Sequence, residues 1–368
     1  MKYFLLLVTF ISFSLYAQDD QVLLKNFKML NEINGKTVNY KACASDDPNA
    51  PEYCKNLYSY VCAQRKITNG RSALDYNLTA KYWKTLPDPL THRKLNEIAR
   101  AAHQSAEDNV YKLSGLTRDE IKNAMSDVKK TFDEFISSTK LIKKQYKKAM
   151  VQKTANTNLV YGLDYVELLV EHAKKNNPQV GVEEIRTQAY KVYMSACGMN
   201  GLEVNAFFDG GRLVLCPGLI ISASEYGRPK EEMLAALKFT IGHEIGHSID
   251  AGVYPDIYKD MRKCYEEVTD NKNIWNGNMS TEITSDYWGA LTLGKHLDPD
   301  DPEKNARIVA LSVDGFCSTP VMAGSPHPEG AFRINQILAK HPYVARALNC
   351  APASNDKPYC SINGAYTP

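Results

Sequence analysis

The chain has 368 residues, a formal net charge of +2 and 23% charged residues, which is the composition of an ordinary globular protein. Because the charges nearly balance, the sequence has no electrostatic footprint for nucleic acid, and DNA or RNA is not expected as a partner. The length allows two domains, or one large domain with insertions.

The first residues have the pattern of an export signal. Lys2 supplies a positive charge, residues 3–15 are apolar apart from Thr and Ser, and Ala17 is a small residue before a polar stretch. Because the segment is short for a membrane span, we predict a signal peptide over residues 1–17 and a secreted or periplasmic protein. An uncleaved anchor is the alternative. We expect no stable membrane span after cleavage.

Nine cysteines fit an exported protein, because disulfides persist in oxidising compartments. The sequence contains no Cys-x-x-Cys pair, which argues against a structural zinc knuckle. An odd number leaves at least one thiol unpaired, and the clustering of several cysteines near both ends predicts that the termini are stapled together. The nine are Cys43, Cys54, Cys62, Cys197, Cys216, Cys264, Cys317, Cys350 and Cys360.

In the first half of the chain, an irregular segment precedes a helical one. Residues 18 to about 62 are rich in turn formers and are predicted to be irregular. From about 75 to 195 the pattern is helical: apolar residues recur near a period of 3.6 over residues 117–150, and residues 159–173 and 182–196 predict two more helices.

Beyond residue 200 the sequence predicts strands as well as helices. Two short apolar runs, 204–208 and 212–215, flank Asp209-Gly210-Gly211, which predicts a β-hairpin. Further helices are predicted over three segments, about 229–252, 281–296 and 330–339. The expected fold class is therefore α+β and predominantly helical.

The segment from His243 to His247 has the spacing of a zinc-binding helix. Residues four apart on a helix are rotated by about 40° and lie one turn along, so that two imidazoles can share one tetrahedral zinc ion. Glu244 lies beside them, where it can take a proton from an activated water molecule. Because His-Glu-x-x-His also occurs by chance in proteins without zinc, the segment does not suffice alone.

Glu282 and Asp286, four apart on a predicted helix, supply what is missing. Val253 occupies the position of a third His found in some zinc sites, six residues after His247. Glu282 would complete a His₂Glu site with an open fourth position, and Asp286 would accept the second ring N–H of His243 and fix its orientation. The alternative for both carboxylates is a solvated helix face.

Two glycines and two late polar residues add to this pattern. Gly242 and Gly246 each cost about 1 kcal/mol within a helix, which predicts that another backbone approaches closely there, with or without a function. His327 and Arg333 could stabilise an oxyanion and position a substrate. A surface His and a salt-bridged Arg are the alternative.

With these residues in place, the chain resembles the M13, or neprilysin-like, zinc endopeptidases. The resembling segments are CKNLYSYVC at 54–62, VNAFF at 204–208, IGHEIGHSID at 241–250, EITSD at 282–286, HPEGAFR at 327–333 and the late cysteines at 350 and 360. The resemblance implies a zincin catalytic domain of the gluzincin type with a small sheet, a reduced helical lobe and one Zn²⁺ per chain.

The resemblance also assigns residue roles. His243, His247 and Glu282 would bind zinc, Glu244 would be the general base and then the acid, Asp286 would orient a ligand, and His327 would stabilise the transition state. Arg333 would contact substrate and the site carboxylates. Asn205 and the backbone of Ala206 would hold the peptide as an added edge strand.

Three disulfides follow from the same resemblance: Cys54–Cys350, Cys62–Cys317 and Cys264–Cys360. A pair between Cys197 and Cys216, which flank the first hairpin strand, is a separate expectation, and Cys43 is left over. The expected parts are a signal peptide (1–17), an N-terminal segment stapled to the C-terminal part (18–74), a helical lobe (75–195) and the catalytic domain (196–368).

The chain also departs from the family. M13 members are typically about twice as long, and their extra residues roof the active site, whereas only the lobe at 75–195 is available here. Asn56 and Leu57 replace an Asp and a Phe of the N-terminal motif. The expected activity is a zinc-dependent endopeptidase or oligopeptidase that hydrolyses peptides or small proteins.

Two alternatives remain open at this point. The M48, or Ste24/HtpX-like, peptidases share the zinc ligands, and the segments around Asn205, Asp286 and His327 resemble them too; pairing of Cys54 with Cys350 would favour M13. A non-catalytic zincin-like binding or structural protein is the alternative of a different class. Such a protein usually lacks a ligand or the base, whereas this chain has both.

Overall fold

A computed structural model describes residues 48–64, 92–198, 202–225, 228–318, 327–350 and 358–366. The predicted signal peptide and Cys43 lie outside the described residues. Within them the protein is predominantly helical with two small sheets, which confirms the predicted α+β class. A search of the described helices finds no segment with the length and hydropathy of a membrane span.

The described α-helices are numbered in chain order. They are α1 (Glu52–Lys55), α2 (Leu57–Gln64), α3 (His92–Ser114), α4 (Arg118–Ser138), α5 (Lys144–Ala155), α6 (Gly162–Asn176), α7 (Val182–Cys197), α8 (Pro217–Glu225), α9 (Lys230–Gly246), α10 (Lys259–Thr269), α11 (Asn278–Lys295), α12 (Pro302–Val313), α13 (Gly330–Phe332) and α14 (Pro342–Leu348). The strands are β1 (Asn158–Tyr161), β2 (Ala206–Asp209), β3 (Arg212–Leu215), β4 (Tyr359–Ser361) and β5 (Gly364–Tyr366).

The N-terminal segment is more regular than its composition predicts. The prediction of an irregular segment up to residue 62 is wrong for α1 and α2. Burial of Tyr53, Leu57 and Val61 offsets the conformational entropy that is lost when these short helices form. Local sequence does not reveal what these residues pack against.

The helical pattern predicted over residues 117–150 forms two helices. A capping box of Thr117 and Glu120 begins α4, since each side chain satisfies a backbone N–H of the other. The helix ends at Ser138. The next residue, Thr139, has an extended backbone, and its hydroxyl accepts the N–H of Leu141. Such local side-chain bonds compete with the helix, and α5 starts afresh at Lys144.

A three-stranded sheet carries the predicted hairpin and one strand that was not predicted. In the order β1-β3-β2, β3 pairs in parallel with β1 and antiparallel with β2, so among the described strands β2 lies at the edge of the sheet. Gly210 and Gly211 both have positive φ, +53° and +87°, as a two-residue hairpin turn requires. Residues 158–161 were predicted as part of a helix, because the partner of β1 is too distant in sequence to be recognised locally.

This sheet crosses the predicted boundary between the helical lobe and the catalytic domain. β1 lies before residue 196 and β3 after it, and all described residues fall within one compact unit, Lys41–Pro368. The helices at 92–198 are therefore not a separate domain in the described structure.

Helices α9 and α11 pack closely against each other in the core. A Cβ on Gly242 would collide with the side chain of Thr292, and one on Gly246 would lie 3.2 Å from the Cα of Ser285. From the other side, a Cβ on Gly289 would lie 2.9 Å from the carbonyl oxygen of Phe239. The glycines permit this approach. The close backbone predicted at Gly242 and Gly246 is present at Gly246, whereas Gly242 faces a side chain.

Two predicted helix ends differ from the observed ones. Helix α9 ends at Gly246 and not at Gly252, because the Asp250 carboxylate accepts the N–H groups of Gly252 and Val253 and fixes a turn. The helix predicted at 330–339 is α13 followed by a π-helical segment, Arg333–Leu338.

Four disulfides frame the fold. Cys54–Cys350 and Cys62–Cys317 tie the N-terminal helices to the C-terminal part, and Cys264–Cys360 ties α10 to β4. Cys197–Cys216 joins the end of α7 to the end of β3. These pairs match the expected ones.

The close approach of α9 and α11 predicts the effect of one added methyl group. Gly289→Ala should lower the free energy of unfolding by about 1–3 kcal/mol, the usual cost of overpacking, although helix propensity alone would favour Ala by about 1 kcal/mol. Gly181→Ala is the control, because a Cβ there meets nothing within 4 Å. Chemical denaturation checks both, and a stable Gly289→Ala protein would contradict the proposed contact.

Candidate metal centre

Three side chains converge on one point: His243 in α9, His247 directly after α9, and Glu282 in α11. The Nε2 atom of His243 lies 3.3 Å from Oε2 of Glu282, and Nε2 of His247 lies 3.6 Å from Oε1. Two ligands at about 2.0–2.1 Å from a tetrahedral ion are about 3.3 Å apart. The group has the spacing of a ligand set and could hold a metal ion.

The Glu282 carboxylate has a further sign of a missing partner. Its Oε2 atom is buried and has no hydrogen bond of good geometry among the described residues, although Nε2 of His243 and Nε2 of His327 each lie 3.3 Å away. Buried polar atoms normally have a partner. An oxygen that faces two imidazole nitrogens without a hydrogen bond of good geometry fits a metal ligand.

A hydrogen-bond chain behind His243 fixes its ring. Asp286 lies 2.9 Å from Nδ1 of His243, and because a carboxylate only accepts, Nδ1 carries the proton and Nε2 is left for a metal. Arg333 donates to both oxygens of Asp286, at 2.7 and 2.8 Å. These distances fit the predicted roles: Asp286 is placed to orient His243, and Arg333 contacts a carboxylate of the site.

The ring of His247 is fixed by two residues to which the sequence assigned no role. Its Nδ1 atom lies 3.1 Å from Oδ2 of Asp250 and 3.0 Å from the hydroxyl of Ser285. Asp250 stands three residues after His247, in the turn that ends the helix. In the sequence, the sign of this contact was a carboxylate three residues after His247. Nothing in the sequence pointed to Ser285.

Glu244, His327 and Arg333 surround the three ligands. Glu244 is 6% exposed and borders the cleft described below. His327 is about two-fifths exposed and places Nε2 3.3 Å from Oε2 of Glu282, while Nη2 of Arg333 lies 3.8 Å from the same oxygen. The structure thus brings together every residue that the sequence placed at the metal site.

Burial and charge shift the pKa values of these groups in opposite directions. Burial raises the pKa of Glu244, although His243 partly opposes it, and burial lowers the pKa of His327. Burial also acts to raise the pKa values of Glu282 and Asp286. The neighbouring His243 outweighs it at Glu282, and Arg333 outweighs it at Asp286, so that both pKa values are lowered and both carboxylates are ionised.

The site opens into a cleft of about 680 Å³. One wall is the edge strand β2 with the preceding Val204 and Asn205, and another is the end of α12 with the turn that follows it. Asn205 donates from Nδ2 to the carbonyl of Ala196 at 3.0 Å, which holds the start of β2 against α7. All described residues that line the cleft lie between 204 and 333, so the helices at 92–198 do not roof it.

Comparison with known proteins adds no relative. No protein-family model matches the chain. No curated protein matches it either.

The pKa of His243 makes metal binding dependent on pH. Burial lowers this pKa, but the hydrogen bond with Asp286 and the nearby Glu282 outweigh burial and raise it from 6.5 to about 10. Because the folded-state pKa is raised, these ion pairs stabilise the metal-free fold fully below about pH 6.5, and that stabilisation is lost as the pH rises through about 10.

We therefore expect zinc binding at pH 7.5 to release about one proton from His243, and the affinity to rise up to about tenfold per pH unit. Calorimetric titration in buffers of different ionisation enthalpy measures the released protons. Asp286→Asn should release fewer, since the charge that raises the pKa is gone. An enthalpy that does not depend on the buffer would contradict this account.

Proposed function

We propose that the protein is an exported zinc-dependent endopeptidase or oligopeptidase. The observation that carries the proposal is the convergence of His243, His247 and Glu282 at tetrahedral ligand spacing, with Glu244 buried beside them in an open cleft. Two imidazoles and one carboxylate with an open fourth position are the ligand set of catalytic zinc sites. Bound zinc supplies Lewis acidity toward a peptide carbonyl and toward water.

Glu244 acts as the proton carrier in the proposed reaction. It takes a proton from the attacking water and passes it to the leaving amine. Burial raises the pKa of Glu244, which makes its carboxylate a stronger acceptor for the proton of the water. His327 lies across Glu282 from His243 and donates from its imidazole to the oxyanion of the tetrahedral intermediate.

The edge strand β2 binds the peptide. Its inner edge pairs with β3, and the other edge borders the cleft, so an extended substrate adds as a further strand beside Ala206. The Asn205 side chain and the Arg333 guanidinium, which also border the cleft, hold the peptide in register. A cleft that the described helices at 92–198 do not line suits peptides and small proteins as substrates.

The M13 family remains the favoured assignment. The disulfide Cys54–Cys350, which the M13 resemblance implies, is the observation that we take in its favour over the M48-like alternative. Four disulfides also support export to an oxidising compartment, secreted or periplasmic. We therefore propose a short, divergent M13-like peptidase with a reduced helical part.

The substitution Glu244→Gln tests catalysis separately from metal binding. The variant should retain one zinc per chain and lose at least about 10³-fold in hydrolysis, because the proton carrier is gone and the ligands are intact. The measurement is cleavage of an internally quenched peptide library, with zinc content determined in parallel.

Glu231→Gln, an exposed change on the same helix, is the matched control and should cleave like the unmodified protein. Full cleavage by the Glu244→Gln variant would refute the mechanism. An unmodified protein that binds zinc and cleaves nothing would favour the non-catalytic binding protein.

A further inference from the structure

The guanidinium of Arg333, which contacts the candidate metal centre, lies over the ring of Phe316. Phe316 belongs to the 3-10 turn Asp314–Ser318 that follows α12 and borders the cleft. The Cζ atom of Arg333 is 3.7 Å from the centroid of the Phe316 ring. The same guanidinium makes the two hydrogen bonds with Asp286, from Nε and Nη2.

Phe316 is itself held on several sides. The adjacent Cys317 is bonded to Cys62, which ties the turn to α2. Gly330 packs directly on the backbone of Phe316, where a Cβ would collide with the carbonyl oxygen. The Phe316 ring also meets Phe239 edge-on at 5.9 Å, and Phe239 stacks near His243 at 6.3 Å.

We propose that Phe316 is a positioning residue that fixes the Arg333 guanidinium against Asp286 and thereby orients His243. The attraction between a cation and an aromatic face is stronger when both are desolvated, and Arg333 is 5% exposed. A flexible Arg side chain has several orientations, and only a coplanar one donates to both oxygens of Asp286. The ring selects that orientation.

The alternative is that Phe316 contributes only apolar surface to the wall of the cleft. The two roles differ in what replaces it. Leucine provides apolar volume without an aromatic face, whereas tyrosine retains the face. An apolar wall would tolerate leucine, and a positioning residue would tolerate tyrosine only.

The test measures zinc affinity by chelator competition in Phe316→Leu, Phe316→Tyr and a matched control, Phe135→Leu. Phe135 is also half-buried. Its substitution removes an edge contact with Trp288, at 5.8 Å, and none of the contacts described for Arg333 involves it. We expect Phe316→Leu to weaken zinc binding by about fivefold to tenfold, with Phe316→Tyr and Phe135→Leu within about twofold of the unmodified protein.

A double-mutant cycle with Arg333→Lys shows whether the effect passes through the guanidinium. Once Arg333 is lysine, Phe316→Leu should cause no further loss of zinc affinity. Equal losses in both backgrounds would overturn the proposal, as would a Phe316→Leu protein that binds zinc as tightly as the unmodified one.

A second readout needs neither zinc nor catalysis and does not require the Arg333→Lys protein to fold. The Nε–H of Arg333 donates to Asp286, so ¹⁵N-edited spectra of the metal-free protein should show it exchanging slowly with water. Phe316→Leu should accelerate this exchange about tenfold, and Phe316→Tyr should not. Unchanged exchange in Phe316→Leu would overturn the proposal.

A role of Phe316 in peptide hydrolysis rests on the proposed function. The tests of its positioning role, zinc affinity and Nε–H exchange, do not. If the unmodified protein cleaves no peptide, the peptidase proposal fails while zinc affinity and Nε–H exchange still decide the role of Phe316. If cleavage is found and Phe316→Leu matches Phe135→Leu in both readouts, only the role of Phe316 fails.

Discussion

The close contact between α9 and α11 is the constraint on which the metal centre depends. Gly242, Gly246 and Gly289 remove the side chains that would hold the two helices apart. At that separation a carboxylate on α11 reaches the imidazoles of His243 and His247 at ligand spacing. Each glycine costs helix stability by itself, on the order of 1 kcal/mol. The glycines lie where the two helices must approach closely for His243, His247 and Glu282 to come together.

Buried charges then hold the ligands in one orientation. His243, Asp286 and Arg333 form a continuous series of charge-assisted hydrogen bonds, and nearly all of it is shielded from water. A buried arginine and two buried carboxylates are costly unless they are paired. Their mutual pairing and a metal ion next to Glu282 would balance these charges, which explains why a carboxylate oxygen in the core has no hydrogen bond of good geometry among the described residues.

The central site could be predicted from the sequence because its residues obey helical spacing. His243 and His247, and Glu282 and Asp286, are each four apart, and such pairs share a helix face in any fold. Two features could not be predicted from the sequence: the pairing of β1 with β3 and the contact of the Phe316 ring with Arg333. In both, only the fold brings the two partners together. For the same reason, the sequence did not reveal that a parallel strand pair, β1 with β3, crosses the predicted lobe boundary near residue 196.

Anomalous diffraction at the zinc edge, from crystals of the zinc-loaded protein, tests the account most directly. It should show one zinc peak per chain within about 2.0–2.2 Å of Nε2 of His243, Nε2 of His247 and a carboxylate oxygen of Glu282. His327 should lie outside the coordination sphere. A peak elsewhere, a peak coordinated by His327, or no bound zinc at the three ligands would contradict the central claim.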